Sequence, residues 1–195
     1  EIMPSLVGSE MCIRDRFTVT SKTTGKVVRT SLTDTQGYVK FTDLPYDTYT
    51  VTETKTPTGY NGIKPFTVVV DGTQKSQHYT IENKVIEEKP RVVKVDTETG
   101  KTGLRAGAIF RIKNLQTNKY EVQPTACKTG TTDKLATDNS GELITSEALG
   151  YGKYQLEEVQ APEGYVLAKE PAKLTIDGSH KAVSYTHLRA HETRH

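Results

Sequence analysis

The sequence is poor in the residues that staple or anchor a chain. It has two cysteines, two methionines and no tryptophan in 195 residues. Two thiols cannot build a disulfide framework, so any covalent cross-link must use other chemistry. No apolar run reaches the roughly 20 residues of a membrane helix, so no membrane span is expected. Charge of one sign is also missing. Lys and Arg number 26 against 24 Asp and Glu, a net charge of +2, which argues against a nucleic-acid platform. Histidine is scarce at five. His78 and His180 stand alone in the pattern, so neither a metal nor a cofactor is expected. Hydrophobic residues are 34% and aromatics 7%, which leaves a thin core assembled from small units. Threonine is plentiful, at 30 residues, beside ten tyrosines, 15 glycines and eight prolines. This β-branched and turn-rich composition reads as an all-β surface protein.

Both ends depart from that composition. Met3, Met11 and Cys12 crowd the first stretch, and His187, His191 and His195 the last. Leu6–Asp15 can be encoded so that the opposite DNA strand reads Val183–Glu192, ten residues in frame on both strands. The ends therefore read as translated sequencing adapter, and residues 1–16 and 183–195 are set aside from fold reasoning. Cys127 is then the single genuine cysteine. The terminal cluster of His187, Arg189, His191, Arg194 and His195 is not read as a metal or anion site.

The middle of the chain repeats at an offset of about 105 residues. Tyr49-Thr-Val-Thr-Glu53-Thr-Lys-Thr-Pro57-Thr-Gly59-Tyr60 matches Tyr154-Gln-Leu-Glu-Glu158-Val-Gln-Ala-Pro162-Glu-Gly164-Tyr165. Thr33-Asp34-x-x-Gly37 matches Thr137-Asp138-x-x-Gly141, and Asp71-Gly72 matches Asp177-Gly178. A repeat of this length is a duplicated domain. Unit one spans about 17–84 and unit two about 91–182. The join, Val85–Pro90, is charged and ends in proline, so it is expected to be extended and stiff. Short alternating segments between turn residues predict strands throughout, with no helical period, and a β-sandwich in each unit.

Strand parity then singles out residues on the wrong face. In Tyr154-Gln-Leu-Glu-Glu158, alternate side chains share a face, so Glu158 follows Tyr154 and Leu156 inward. Glu157 and Glu163 point to solvent. Glu53 follows Tyr49 and Val51, Lys94 follows Val92, and Asn83 follows Tyr79 and Ile81. An acid, an amine and a carboxamide directed into a core cost several kcal/mol unless paired. On parity alone the bland reading, solvated strand ends, would prevail.

Lys94-x-Asp96 followed by Gly100, Leu104 and Gly107-Ala108-x-Phe110, then Tyr154-x-Leu-x-Glu158-x-x-Ala-Pro162-x-Gly164-Tyr165, resembles the Cna protein B-type domain. These are the prealbumin-like domains of SpaA-type pilins and adhesins of Gram-positive bacteria, and the resemblance covers nearly all of 17–182. It implies an all-β fold of two tandem Ig-like, prealbumin-like sandwiches. It also implies a spontaneous isopeptide bond in each, joining a first-strand Lys to a last-strand Asn with the help of the Glu. Carried over by motif, Lys94 is the amine and Glu158 the acid of unit two. Glu53 is the acid and Asn83 the acceptor of unit one. Burial disfavours the charged forms of amine and acid alike. A neutral amine can then attack the carboxamide while the acid polarises it and shuttles protons. This is a single turnover within one molecule, so no enzyme activity is expected.

Neither set is complete. Phe17 aligns with Phe110, so unit one should lack its first strand and with it the Lys; Lys22 falls at the following turn. Unit two should lack its last strand and the acceptor. The resemblance implies a fragment of a cell-wall or cell-surface stalk or pilus shaft, partnered by neighbouring domains of the same protein. The alternative is an adhesin module binding host extracellular matrix protein or carbohydrate through loops such as 121–136. An enzyme is disfavoured because no nucleophile–base or metal-spaced cluster occurs in the genuine region. Cys127, in a stretch absent from unit one, reads as an insertion-loop residue.

Overall fold

The computed structural model describes residues 2–6, 14–96, 106–125, 129–179 and 185–192, with backbone alone over 3–6, 95–96 and 185–192. The chain divides into two compact units, Glu1–Val85 and Ile86–His195. Among the described residues there is no helix, hence none long and apolar enough to cross a membrane.

Unit one contains β1 (Ile2–Leu6), β2 (Arg16–Ser21), β3 (Val27–Leu32), β4 (Asp47–Lys55), β5 (Tyr60–Asn61), β6 (Phe66–Val70), β7 (Gln77–Ile81) and β8 (Lys84–Val85). Its main sheet runs β3-β2-β4-β6, while β1 pairs with β7 and β5 with β8. Alternation explains the core. Phe17 and Val19 on β2, Tyr49 and Val51 on β4 and Val68 on β6 point inward and meet Val39, Phe41 and Ile81. Their neighbours Thr18, Thr20, Thr50, Thr52 and Thr67 fall on the opposite face.

Unit two contains β9 (Glu87–Glu88), β10 (Arg91–Asp96), β11 (Ile109–Asn114), β12 (Gln123–Pro124), β13 (Thr131–Thr132), β14 (Leu135–Ala136), β15 (Glu142–Ile144), β16 (Leu149–Gly150), β17 (Gly152–Gln160), β18 (Tyr165–Val166), β19 (Ala172–Ile176) and β20 (Tyr185–Glu192). Two four-stranded sheets, β15-β10-β20-β18 and β14-β11-β17-β19, enclose a core of Phe110, Ile112, Leu143, Tyr154, Leu156, Leu174 and Ile176.

The repeat is visible in local bonding. Asp34 Oδ1 accepts from the backbone N–H groups of Gln36 and Tyr38, and Asp138 Oδ1 from those of Ser140 and Glu142. Gly37 and Gly141 close these turns at φ of 80° and 75°, values open to glycine at no steric cost. The Tyr49 hydroxyl donates to Pro45 O at 2.7 Å and the Tyr154 hydroxyl to Gly150 O at 2.8 Å. Each bond spans four residues and pins the strand entering the core tyrosine.

One expectation needs correction. The ends set aside as adapter form strands: β1 pairs in parallel with β7, and β20 with β10. The set-aside residues thus stand in the main-chain ladder at the places of the first strand of unit one and the last strand of unit two. Backbone donors and acceptors pair whatever the side chains are, and an open strand edge accepts any extended segment of suitable length. The join is extended and is paired on both sides. Val85 pairs with Tyr60 in unit one, while Glu87 and Glu88 pair with Gly150 and Leu149 in unit two and Ile86 packs on that unit's core. Tyr38 and Phe41 make isolated bridges outside the strands.

Candidate functional site

The site of unit two is built where β10, β17 and the segment after β18 meet. Glu158 lies on β17 opposite Phe110, on the inward face predicted by parity. Its side chain is fully buried, as is that of Lys94 on β10. Lys94 Nζ donates to Glu158 Oε1. The other carboxylate oxygen accepts from the backbone N–H of Ala168 at 2.9 Å. Two charged groups in an apolar core thus satisfy each other, with one backbone donor completing the acid.

Unit one holds the complementary half. Glu53 lies on β4 opposite Phe17. Its Oε2 accepts from the backbone N–H of Ile63 at 2.9 Å. Asn83 Nδ2 donates to Oε1 at 3.1 Å and Oε2 at 3.0 Å, and also to Asn61 O at 3.0 Å. Asn83 Oδ1 is buried without a hydrogen-bond partner. Both acids are therefore latched by the N–H ten residues downstream, Ile63 for Glu53 and Ala168 for Glu158. Parity found the acids; a backbone latch has no side-chain signature and was not foreseen.

The sequence model of the SpaA prealbumin-like fold domain matches residues 8–85 and 88–188. The chain belongs to this family. Among solved structures, the Bacillus anthracis TIE protein aligns with 98% of the chain at 23% identity and a TM-score of 0.73, covering 33% of its own length. The chain thus spans about a third of that protein, and at this identity the likeness speaks for the fold alone. A streptococcal ancillary pilin aligns with 100% of the chain at 23% identity and TM-score 0.45, over 62% of the pilin. The shaft pilin SpaA of Lactobacillus rhamnosus GG aligns at 16% identity and TM-score 0.40, covering 100% of this chain and 98% of the pilin. Scores this low add no structural argument. No curated protein matches.

Within the two SpaA-type domains, register relates these side chains to the terminal strands. Lys94 donates its backbone N–H toward Gly141 O. In unit one the Phe41 N–H donates to Ile2 O as the Thr145 N–H of unit two does to Pro90 O, and four residues on from Ile2 and Pro90 stand Leu6 and Lys94. Leu6 thus holds the register position of Lys94. Lys94 pairs with Leu188 and Leu6 with Ile81. Two residues further along, Ala190 holds the register position of Asn83. Unit two thus has Lys94 with Ala190 at the place of Asn83, and unit one has Asn83 with Leu6 at the place of Lys94.

The junction near Asp15 carries a second mismatch. Asp15 N–H donates to Thr33 Oγ1 at 2.9 Å, and Ala108 N–H to Thr137 Oγ1 at 3.2 Å. Asp15 therefore occupies the place of Ala108. It is 2% exposed, with Oδ2 buried and unpartnered. Burial first, then the nearby Glu53 carboxylate, push its carboxyl up to about 6, against an opposing pull from Lys55.

Other expectations resolve as follows. Glu163 is exposed, but Glu53 is half-buried rather than buried. Glu157 is half-buried because the Tyr120 hydroxyl donates to it at 2.7 Å. The same Tyr120 ring lies 3.4 Å from the Arg111 guanidinium carbon, and Arg111 pairs with Asp133. These contacts fasten the described part of the 121–136 insert to the outer face of β11 and β17, a network that spacing in the sequence did not reveal. Lys22 is exposed beside a turn. Gly100, Leu104, Cys127 and His180 lie outside the described residues.

Proposed function

We propose that this chain is a structural stretch of a Gram-positive surface or pilus-type protein, whose complete domains are locked by autocatalytic Lys–Asn isopeptide bonds. The observation that carries this reading is the fully buried contact of Lys94 with Glu158. A buried ion pair gains little over well-packed apolar residues, so stability alone does not explain it. A reactive amine held against its proton acceptor does. Asn83 held by Glu53 in unit one is the other half of the same chemistry.

In the complete domain, Lys Nζ attacks Asn Cγ. The Nζ–Cγ bond forms, the Cγ–Nδ2 bond breaks, and the Glu carries a proton from the amine to the departing ammonia. Each domain reacts once, so this is maturation and not turnover. The product joins first strand to last and restricts the unfolded chain as a disulfide does. Such a protein works outside the cell, at the wall, with neighbouring domains of its own chain as its first partners. The terminal segments are adapter-derived in this reading and have displaced the native first strand of unit one and last strand of unit two.

Intact mass tests this. The chain should weigh what its sequence dictates. Ala190→Asn should lose one ammonia, and so should Leu6→Lys. Glu158→Ala added to the first variant and Glu53→Ala added to the second should restore full mass. An unaltered mass in both Ala190→Asn and Leu6→Lys, with folding confirmed by circular dichroism, overturns the assignment.

A further inference from the structure

The duplicated fold supplies an internal comparison of its two outer faces. In unit two, register aligns Lys113, Gln155 and Lys173 in one row across β11, β17 and β19, with Lys153 paired to Thr175 in the next. In unit one the same places hold Thr20, Thr50 and Thr67, then Thr48 and Val69. All three lysines sit on the face opposite the core, and neighbouring strands lie about 5 Å apart. Three lysines thus flank Gln155 in register. None forms a salt bridge among the described residues, although Lys113 reaches the Tyr120 ring at 5.8 Å. Of the nearby acids, one is neutralised by an ion pair and two are held by neutral donors, so the lysines outnumber the remaining free carboxylate charge by three to two. Glu157 accepts from Tyr120, Asp133 pairs with Arg111, and Glu121 accepts from Asn114.

Beside Lys153 the face dips into a hollow of about 310 Å³ lined by Leu115, Gln116, Tyr151, Thr175 and Ile176. Tyr151 and Leu115 are both 46% exposed there. An aromatic ring and an aliphatic floor, edged by an amide and a hydroxyl, suit the apolar face and the hydroxyls of a sugar ring. The lysines suit carboxylates carried along a chain. Linear polymers fit an open sheet face, whereas a nucleic-acid duplex needs an element that enters a groove.

We infer that the outer face of unit two binds a linear, uronate-bearing polysaccharide, with a sugar ring against Tyr151 and carboxylates on Lys113, Lys153 and Lys173. Unit one, with threonine at the same places, does not. This is independent of isopeptide chemistry and uses the sheet face rather than the loop tips.

Calorimetric titration of the full chain with an alginate hexasaccharide tests it, with a neutral dextran oligosaccharide, poly-glutamate and single-stranded DNA alongside. The uronate should bind, its affinity should fall as salt rises, and dextran should not bind. Exchanging Lys113, Lys153 and Lys173 together for Thr copies the face of unit one onto a strand-compatible surface. It should weaken binding about tenfold or more with an unchanged melting temperature. Tyr151→Ala should weaken it at constant salt dependence. Placing Lys at Thr20, Thr48 and Thr67 should add a weaker second site. Absence of uronate binding, or a triple variant that binds as before, overturns the inference. Poly-glutamate or DNA binding as tightly as the uronate overturns the polysaccharide assignment.

Discussion

Asp15→Ala should stabilise unit one, and the gain should depend on pH. Asp15 stands where unit two has Ala108, and its backbone bonds to Thr33 do not need its side chain. What the side chain adds is a buried carboxylate with one orphaned oxygen near Glu53. Its carboxyl is raised from 3.8 to about 6, so the folded state binds its proton more tightly than the unfolded state. Stability from this group is fully present below pH 3.8 and is lost as pH rises through 6. The rise corresponds to at most ~3 kcal/mol. Solvent screening and relaxation around the acid reduce that, and we expect ~1–2 kcal/mol at pH 7. For a unit of this size, each kcal/mol moves the melting temperature by roughly 4–8 °C. Calorimetry of the full chain gives the size, and hydrogen exchange at the β2 and β4 amides assigns it to unit one. The variant should gain more at pH 7 than at pH 5. A loss of stability at pH 7, or an equal gain at both pH values, would refute the reasoning.

Lys94→Ala should destabilise unit two by ~3–5 kcal/mol, because Glu158 is left buried without its partner; urea unfolding followed by exchange at β17 measures it, and exchanging the pair for Met and Leu should recover most of the loss. Tyr154→Phe removes the hydroxyl bond to Gly150 and should cost ~0.5–1.5 kcal/mol, with Tyr49→Phe doing the same in unit one through Pro45. Gly72→Ala and Gly25→Ala, at φ of +84° and +69°, should each cost ~1–2 kcal/mol from backbone strain. The Tyr46 hydroxyl lies 2.6 Å from the new Cβ at Gly72 but is 78% exposed and can swing away, so the two melting-temperature losses should be similar.

The residues legible in advance were those whose placement follows from strand alternation. Tyr154, Leu156 and Glu158 share a face because side chains alternate, and the offset of the repeat carried the same reading to Tyr49, Val51 and Glu53. Residues placed by long-range pairing were not legible. Arg111, Tyr120 and Asp133 meet only because the insert folds back over β11. The filling of the terminal strand places by Ile2–Leu6 and Tyr185–Glu192 was equally hidden, since main-chain pairing draws on groups common to nearly every residue. Asp15 lay outside the segment taken as protein, so its replacement of a core alanine emerged only from the bond that its N–H makes to Thr33.

The parallel pairing of β10 with β20 also governs how unit two is made. Almost the whole unit separates these strands in sequence, so their contact is among the least local in the chain, and such contacts form late and slowly. During synthesis β10 leaves the ribosome first and keeps an unpaired edge until the final strand emerges. That edge is a template for any extended segment nearby, including the corresponding strand of another copy. In an array of similar domains, correct assembly is therefore a competition. Each first strand must wait for its own last strand while others of similar pattern are already within reach.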